Sequence, residues 1–270
     1  MLNLQRIIAF TFMLFAPSLS YAVVFFDDEL EGVDSVFYYE PNFTSGTFTF
    51  DTAVKFSGAG SIRLNYPAIC QTLTTSNQCG GSLGESFPLT NDVYERAYFR
   101  MSGTGPDPTI SGLFETGAAA TKMQKFQSDI LGGLFARGWM VMPYRGKNGV
   151  MALENVPTTG AATNVPTSFT FGDNRWYCIE MRQKMNTPGA NDGIIQVWID
   201  GTQVALRTDI NWRRAGSNVQ WSNVSLFRQI GAGNIWFDRF AVGNTRIGCI
   251  GNPPPVDTTR PTPPTNLTAQ

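Results

Sequence analysis

Residues 174–204 carry the most regular hydrophobic pattern in the chain. Within them, residues 176–185 and 194–199 contain neither proline nor glycine and are rich in aromatic, β-branched and long side chains, which predicts two strands. Proline, glycine, asparagine and aspartate are concentrated between the two runs, as a chain reversal requires. A second turn signal at Asp200 precedes residues 202–206, so the segment predicts three consecutive antiparallel strands.

Alternation divides the first two of these strands into two faces. In the first strand, the apolar face consists of Tyr177, Ile179, Met181 and Met185, and the other face of Trp176, Cys178, Glu180, Arg182 and Lys184. In the second strand, Ile195, Val197 and Ile199 alternate with Gln196, Trp198 and Asp200. We expect the apolar face to pack in a core and the opposite face to be available to a polar ligand.

Shorter runs predict further strands along the rest of the chain, at residues 23–26, 61–66, 93–101, 134–144, 149–154, 219–229 and 234–242. The period of residues 121–131 is ambiguous between strand and helix, and the surrounding glycines and neighbouring strands favour a strand. Residues 157–166 predict a long loop, either a flap over a groove or a surface connection. In 234–242, strict alternation would place Ile235, Phe237, Arg239 and Ala241 on one face, and Trp236, Asp238, Phe240 and Val242 on the other. Many short strands separated by turns predict an all-β sandwich.

The run 93–101 places two tyrosines and two arginines on one face: Tyr94, Arg96, Tyr98 and Arg100. Exposed rows of rings and cations usually meet a ligand. Sugars fit such a row, because their C–H faces stack on aromatic rings while arginine pairs with hydroxyl or carboxylate groups. The alternative is that a loop of the same domain covers two of the four residues.

Composition narrows the function classes. The 270 residues include 27 glycines and 16 prolines but only 15% charged residues, a profile that suits an all-β domain with many turns. The formal net charge of −1 gives no electrostatic case for binding nucleic acid or an anionic membrane. Histidine is absent, which removes the commonest general base and the commonest metal ligand, and excludes a nucleophile relay through imidazole.

Residues 1–22 have the pattern of a signal peptide: Arg6 precedes an apolar run at 7–16, and a small-x-small motif ends at Ala22. We expect cleavage after Ala22 and a secreted or periplasmic product. The remaining chain has no second apolar run long enough to cross a bilayer, so no membrane contact is expected after cleavage.

Four cysteines in an exported protein imply two disulfides in one of three pairings. Cys70 and Cys79 flank a short polar loop, which favours a local bond between them and leaves Cys178 to pair with Cys249. Their spacing matches no zinc-finger pattern.

Two strings in the last third carry a family resemblance. The combination of NRWYCIEMRQKMNTPGANDGIIQVWIDGTQV and WFDRFAVGNTRIG resembles the concanavalin A-like jelly roll, and more narrowly secreted bacterial proteins related to polysaccharide lyases. The resemblance implies that residues 23–250 form a sandwich of two curved antiparallel sheets, with a concave groove for an extended polysaccharide. In some members of the family it also implies a calcium ion near the chain ends, for which Asp28 and Asp238 are the candidate ligands here. The alternative for the acidic residues 27–31 is a solvated strand end.

The C-terminal residues 251–270 differ in composition from the rest. They are rich in proline and threonine and predict an extended tether. The run DTTRPTPPTNLTA resembles the opening of a fibronectin type III module.

The resemblance carries over only part of a catalytic set. Lyases of this type generally use a tyrosine, a residue that neutralises the uronate carboxylate and often a histidine, which this chain lacks. The candidate catalytic residues are therefore Tyr98, Arg100 and Arg96. A tyrosine, Tyr98 or alternatively Tyr94, would act as both base and acid, with its pKa lowered by a neighbouring arginine or by Lys184. The candidate substrate-binding residues are Tyr94, Glu180, Arg182, Lys184, Gln196 and Trp198. The closely spaced carboxylates of jelly-roll glycoside hydrolases are absent from the sequence.

The sequence thus predicts an exported domain that holds an extended glycan, uronate polymers included, in a concave groove. It is expected to be monomeric and to require no cofactor beyond a structural calcium ion. Two alternatives remain: a polysaccharide lyase that cleaves by β-elimination, and a structural or adhesive extracellular domain.

Overall fold

The computed structural model describes residues 22–31, 38–39, 47–66, 80–101, 121–128, 137–142, 152–156, 163–166, 169, 175–229 and 233–251. These residues form fifteen strands and no helix, so the predicted all-β class is confirmed. A helix able to span a membrane is accordingly not found among them. Most of the predicted signal segment, Cys70, Cys79 and the C-terminal tether lie outside the described residues.

The first sheet contains eight antiparallel strands. They are β1 (Val24–Asp28), β3 (Thr47–Asp51), β4 (Ser61–Tyr66), β6 (Asp92–Met101), β11 (Trp176–Lys184), β12 (Gly193–Ile199), β13 (Thr202–Ile210) and β15 (Gly233–Gly243). Seven follow the order β13-β12-β11-β6-β15-β4-β3, and β1 pairs with β15. The predicted three-strand segment is confirmed as β11, β12 and β13 at the edge of this sheet.

The second sheet contains seven strands. They are β2 (Tyr38–Tyr39), β5 (Gly80–Thr90), β7 (Thr121–Ser128), β8 (Arg137–Met142), β9 (Ala152–Val156), β10 (Thr163–Pro166) and β14 (Trp221–Gln229), in the order β10-β9-β8-β7-β14-β5-β2. The prediction of an uninterrupted loop at 157–166 is wrong at its C-terminal end, because β10 pairs with β9 there.

The core lies between the two sheets. The apolar face predicted for β11 is confirmed: Ile179 and Met181 are fully buried. From the second sheet, Val224 and Leu226 of β14 are fully buried in the same cluster. An antiparallel sandwich therefore has one covered face per sheet, and the opposite faces are the two places where a ligand could bind.

A bulge in β15 changes which side chains enter the core. The register with β6 shifts between Asp238 and Ala241, and Arg239 has a left-handed φ of 51°. The extra residue reverses the alternation beyond it. Phe240 and Val242 therefore enter the same core as Ile235 and Phe237, which precede the bulge. The strict alternation predicted for 234–242 is wrong for this reason.

The turn between β11 and β12 is fixed by two buried polar side chains, Asn186 and Arg213. Asn186 donates from Nδ2 to the carbonyl oxygens of Arg213 (2.7 Å) and Ala190 (2.9 Å), and its Oδ1 accepts from the Arg213 amide (2.8 Å). The Arg213 guanidinium donates to the Asn186 carbonyl (2.7 Å) and to Asn91 Oδ1 and the Val219 carbonyl (both 2.9 Å). Asn186 has no exposed surface. The pair therefore ties the turn to the loop after β13.

Candidate functional site

The residues predicted as catalytic or substrate-binding lie together on the outer face of the first sheet. Glu180 of β11 is directly opposite Arg96 of β6 and Trp198 of β12. Arg182, in turn, is opposite both Tyr94 and Gln196. Strand pairing thus brings the predicted residues into neighbouring rows on one surface.

Residues 244–251, which we call the strap, cross the middle of this surface. The Glu180 carboxylate accepts hydrogen bonds from the amides of Ile247 (2.6 Å) and Gly248 (3.1 Å), and Arg246 donates to it at 3.4 Å. The Arg246 guanidinium lies 4.4 Å from the centre of the Trp198 ring. The strap is therefore attached by charge-assisted hydrogen bonds and a cation–π contact.

A disulfide between Cys178 and Cys249 fixes the far end of the strap, which confirms this predicted pairing. Just beyond it, the Ile250 amide donates to the Tyr98 hydroxyl oxygen. Only 3% of Tyr98, 1% of Glu180 and 6% of Trp198 remain exposed. This burial favours the alternative reading for these residues, coverage by another part of the same domain.

Arg96 is covered by β1, the strand nearest the N-terminus. Only 3% of the residue is exposed, and its Nη2 donates to Asp27 Oδ1 of β1 at 2.9 Å. The guanidinium also lies 5.8 Å from the Tyr98 ring centre. Arg96 and Tyr98 are therefore adjacent, as a catalytic pair would be, but both are sealed beneath chain segments.

Burial also makes Tyr98 a poor proton acceptor. Desolvation raises the pKa of its phenol above the ordinary value of 10.0, and the Ile250 hydrogen bond and Arg96 offset only part of this effect. Desolvation likewise raises the pKa of Glu180, opposed by the strap amides and Arg246. A phenol that ionises less readily is less suited to removing a proton at neutral pH. The catalytic role of Tyr98, Arg100 and Arg96 stays a prediction, and this geometry does not favour it.

The remaining predicted residues are accessible at the rim of the strap. The Arg182 guanidinium donates to both carboxylate oxygens of Asp92 (2.9 and 2.7 Å) and lies 5.2 Å from the Tyr94 ring centre. Gln196 pairs with Gln203 on the neighbouring strand, and Lys184 is exposed. Their role in substrate binding also stays a prediction.

The outer face of the second sheet presents different chemistry, which the sequence analysis did not assign to a site. Ser225 lies between the buried residues Val224 and Leu226 of β14, so alternation places it on the face away from the core. Directly paired residues share a face. Pairing continues the row from Ser225 across four strands, through Lys125, Trp139, Glu154 and Asn164.

A second row runs beside the first. Asn223 of β14 is opposite Ser86 of β5 and Gln127 of β7, and Gln127 is opposite Arg137 of β8. Asn223 Nδ2 donates to Ser86 Oγ at 3.5 Å on exposed surface. The two rows, which we call the polar rows, thus bring Lys125, Arg137, Trp139 and Glu154 into register with amide and hydroxyl residues on neighbouring strands.

One nucleophile motif in the sequence lacks its structural context. Residues 80–84 read GGSLG and match the G-x-S-x-G spacing. They lie inside β5, where Ser82 pairs with Phe227 of β14, whereas a nucleophile elbow needs a sharp turn from strand to helix. Since the chain also lacks histidine, this match indicates no serine hydrolase site.

Of the two predicted calcium ligands, Asp238 fits a cation better than Asp28. Its Oδ2 accepts from the amides of Phe56 (2.7 Å) and Ser57 (3.2 Å), while among the described residues no donor reaches the buried Oδ1. Asp28 instead accepts from the Leu30 amide at 2.6 Å. Glu31 lies nearby, since its carboxylate binds the amide of Ala59. The described residues contain no cluster of three or more His, Cys, Asp or Glu arranged for a metal, so calcium stays a prediction.

Asp238 leads to a prediction for pH and calcium. Burial, together with the Glu31 charge, raises the pKa of Asp238 from 3.8 to about 6. The folded protein therefore holds this proton more tightly than the unfolded chain, and the resulting stabilisation, full below about pH 4, is lost as the pH rises through 6. With calcium removed by a chelator, we expect the free energy of unfolding of the wild type to fall between pH 4 and pH 7. The fall should exceed that of Asp238→Asn over the same range by about 2 kcal/mol.

Urea denaturation across this pH range measures the effect, with the exposed Asp209→Asn as the matched control. If calcium binds Asp238, adding it at pH 7 stabilises the wild type but not Asp238→Asn. Asp28→Asn tests the second ligand in the same way. Stability that is indifferent to both calcium and chelator would contradict the metal site.

Sequence comparison associates this chain with polysaccharide lyases. Residues 150–229 match the family model described as Polysaccharide lyase 14. The matched segment runs from β9 through β14 and so includes three strands of each sheet. No curated protein matches the chain.

Solved structures with the same fold include polysaccharide lyases. An endo-β-1,4-glucuronan lyase from the fungus Trichoderma reesei aligns with a TM-score of 0.58 and 14% identity, covering 83% of this chain and 96% of that one. The cellulose induced protein Cip1 aligns at 0.55 and 19%, covering 83% and 99%. Alginate lyase vAL-1 from Chlorella virus aligns at 0.54 and 14%, covering 78% and 93%. These likenesses show the jelly-roll sandwich fold.

Proposed function

We propose that this domain holds an extended, uronate-containing polysaccharide on the outer face of the second sheet. The observation that carries the proposal is the pair of polar rows, which together run across six adjacent strands. Lys125 and Arg137 supply cations for uronate carboxylates, and Trp139 supplies a ring for a sugar face. The family match to residues 150–229 includes β9, β10 and β14 of this sheet.

The opposite face is the less favourable location for the polymer. There the strap and β1 already occupy Tyr98, Glu180, Trp198 and Arg96 with hydrogen bonds, an ion pair and ring contacts. A polysaccharide would have to displace these contacts before it could touch the same groups.

The test is retention of the protein in gels that contain alginate or glucuronan. Lys125→Ala should weaken retention by about three- to tenfold, because one cation facing the anionic polymer is lost. Arg214→Ala removes the same charge from an exposed loop and should leave retention unchanged. If Lys184→Ala weakens retention and Lys125→Ala does not, the polymer lies on the first sheet instead.

The second candidate function is β-elimination, which the family match favours. In that reaction a base removes the proton α to the uronate carboxylate, and the glycosidic oxygen departs with a proton from an acid, leaving an unsaturated sugar. Ultraviolet absorbance by the unsaturated product would establish elimination. Retention without any such product would leave binding as the function.

A further inference from the structure

The outer face of the first sheet carries another set of rings and cations to one side of Tyr98. Trp176 of β11 is directly opposite Arg100 of β6, which is opposite Trp236 of β15, which in turn is opposite Arg63 of β4. With neighbouring strands about 4.8 Å apart, this row is about 14 Å long. We call these four residues, with Phe56 beside them, the aromatic strip.

Contacts within the strip fix the orientation of its members. The Arg100 guanidinium lies 5.6 Å from the Trp236 ring centre. Trp236 Nε1 donates to Asp51 Oδ2 at 2.9 Å, and the same oxygen lies 3.8 Å from Arg63 Nη1. The side chain of Arg63 remains 35% exposed. The strip is therefore ordered before any ligand arrives, which reduces the entropy that binding would cost.

Phe56 is an exposed ring with a fixed position. It stacks on Tyr98 with ring centres 3.8 Å apart and meets Trp176 edge to face at 6.2 Å, yet 36% of the residue is exposed. Phe56 therefore presents part of its ring to solvent in a fixed orientation beside Trp176.

The loop that carries Phe56 is held by three carboxylates. Asp51 accepts from amides at its start, Asp238 from amides in its middle and Glu31 from the Ala59 amide near its end. The exposure of Phe56 is therefore built into the loop.

Alternating rings and cations at strand spacing suit a polymer of repeating sugars. The partly exposed rings of Phe56 and Trp176 can take the C–H face of a pyranose, and a guanidinium beside them can pair with a hydroxyl or carboxylate. Trp236, which is only 6% exposed, serves to orient Arg100 and Arg63. The two guanidinium groups of the strip outnumber the one carboxylate that contacts it, Asp51, so the local charge complements an anionic chain. A protein partner would instead need a contact of roughly 800 Å² on this side, far wider than a single row.

We propose that the aromatic strip is a second polysaccharide-binding site, which takes an anionic segment on the sheet opposite the polar rows. The choice of an anionic polysaccharide as the ligand rests on the proposed function, whereas the position of the site on the first sheet does not. Two sites on opposite faces would let one domain hold two polymer strands, or one long strand at two points, with the gain in retention that multivalency gives.

Gel retention by alginate and glucuronan tests the strip with Phe56→Ala, Trp176→Ala and Arg63→Gln. Each of these substitutions should weaken retention by about three- to tenfold, whereas Trp176→Phe should retain most of the binding. The double variant Trp176→Ala with Lys125→Ala should be retained more weakly than either single variant. Leu206→Ala, an exposed apolar residue on the edge strand β13, is the matched control. Melting curves verify that each variant is folded.

The outcomes separate the two proposals. If all three strip variants are retained as strongly as the wild type, the proposal for the aromatic strip is wrong, and the proposal for the polar rows is unaffected. Loss in the strip variants with no effect of Lys125→Ala would support the strip and overturn the proposed face of the second sheet. A wild-type protein that neither polymer retains would overturn both.

Discussion

Replacing Cys178 and Cys249 together by alanine is expected to lower the free energy of unfolding by about 4 kcal/mol. The bond closes a loop with a sequence separation of 71, so its loss returns much conformational freedom to the unfolded chain. Chemical denaturation of the two proteins under oxidising conditions measures the difference. Added reductant should then have a much smaller effect on the double variant than on the wild type.

The same substitution should act locally on the strap. Without the disulfide, the strap is held only by its hydrogen bonds and the Arg246–Trp198 contact, so hydrogen exchange of the Ile247 and Gly248 amides should accelerate more than that of the β11 core. Unchanged stability and exchange in the double variant would show that the hydrogen bonds suffice to hold the strap.

Asn186→Ala is expected to destabilise the fold by about 3–5 kcal/mol. The truncation removes the acceptor for the Arg213 amide and the donor for the Ala190 and Arg213 carbonyls, all in a region that water does not reach freely. Each buried group left without a partner costs about 1–3 kcal/mol. The energetic effect should therefore exceed that of most surface changes severalfold.

Asn191→Ala provides the control for this turn. Asn191 is exposed, and its Oδ1 accepts a hydrogen bond from Asn211 at 3.1 Å, so its loss should change stability by no more than about 0.5 kcal/mol. Urea denaturation of both variants gives the comparison. Equal effects would mean that the turn is held by its backbone rather than by Asn186.

Local sequence pattern predicts the strands whose two faces differ. The alternation in β11 and β12 identified both the buried and the outer residues, because one face of each strand packs against the core. In β5, by contrast, Gly80, Gly81 and Gly84 and Pro88 conceal the strand, since these residue types are depleted in strands and weaken the pattern. The bulge at Arg239 shows a second limit, because one extra residue reverses the faces without leaving a clear signal in the hydrophobic pattern.

The candidate site was harder to predict than the fold. Alternation placed Tyr98, Glu180 and Trp198 correctly on one outer face, but it could not show that residues far along the chain return to cover them. The polar rows were missed because their residues come from six separate strands, and the run that supplies Lys125 has an ambiguous period. Only the order of strands in the sheet brings these residues together.

The pairing of Asn244 with Val23 joins the start of β1 to the end of β15. The Val23 amide donates to Asn244 Oδ1 at 2.8 Å, and the Asn244 amide donates to the Val23 carbonyl at 3.0 Å. The chain therefore enters β1 and leaves β15 at one corner of the first sheet, and neither segment can fray there without breaking both hydrogen bonds.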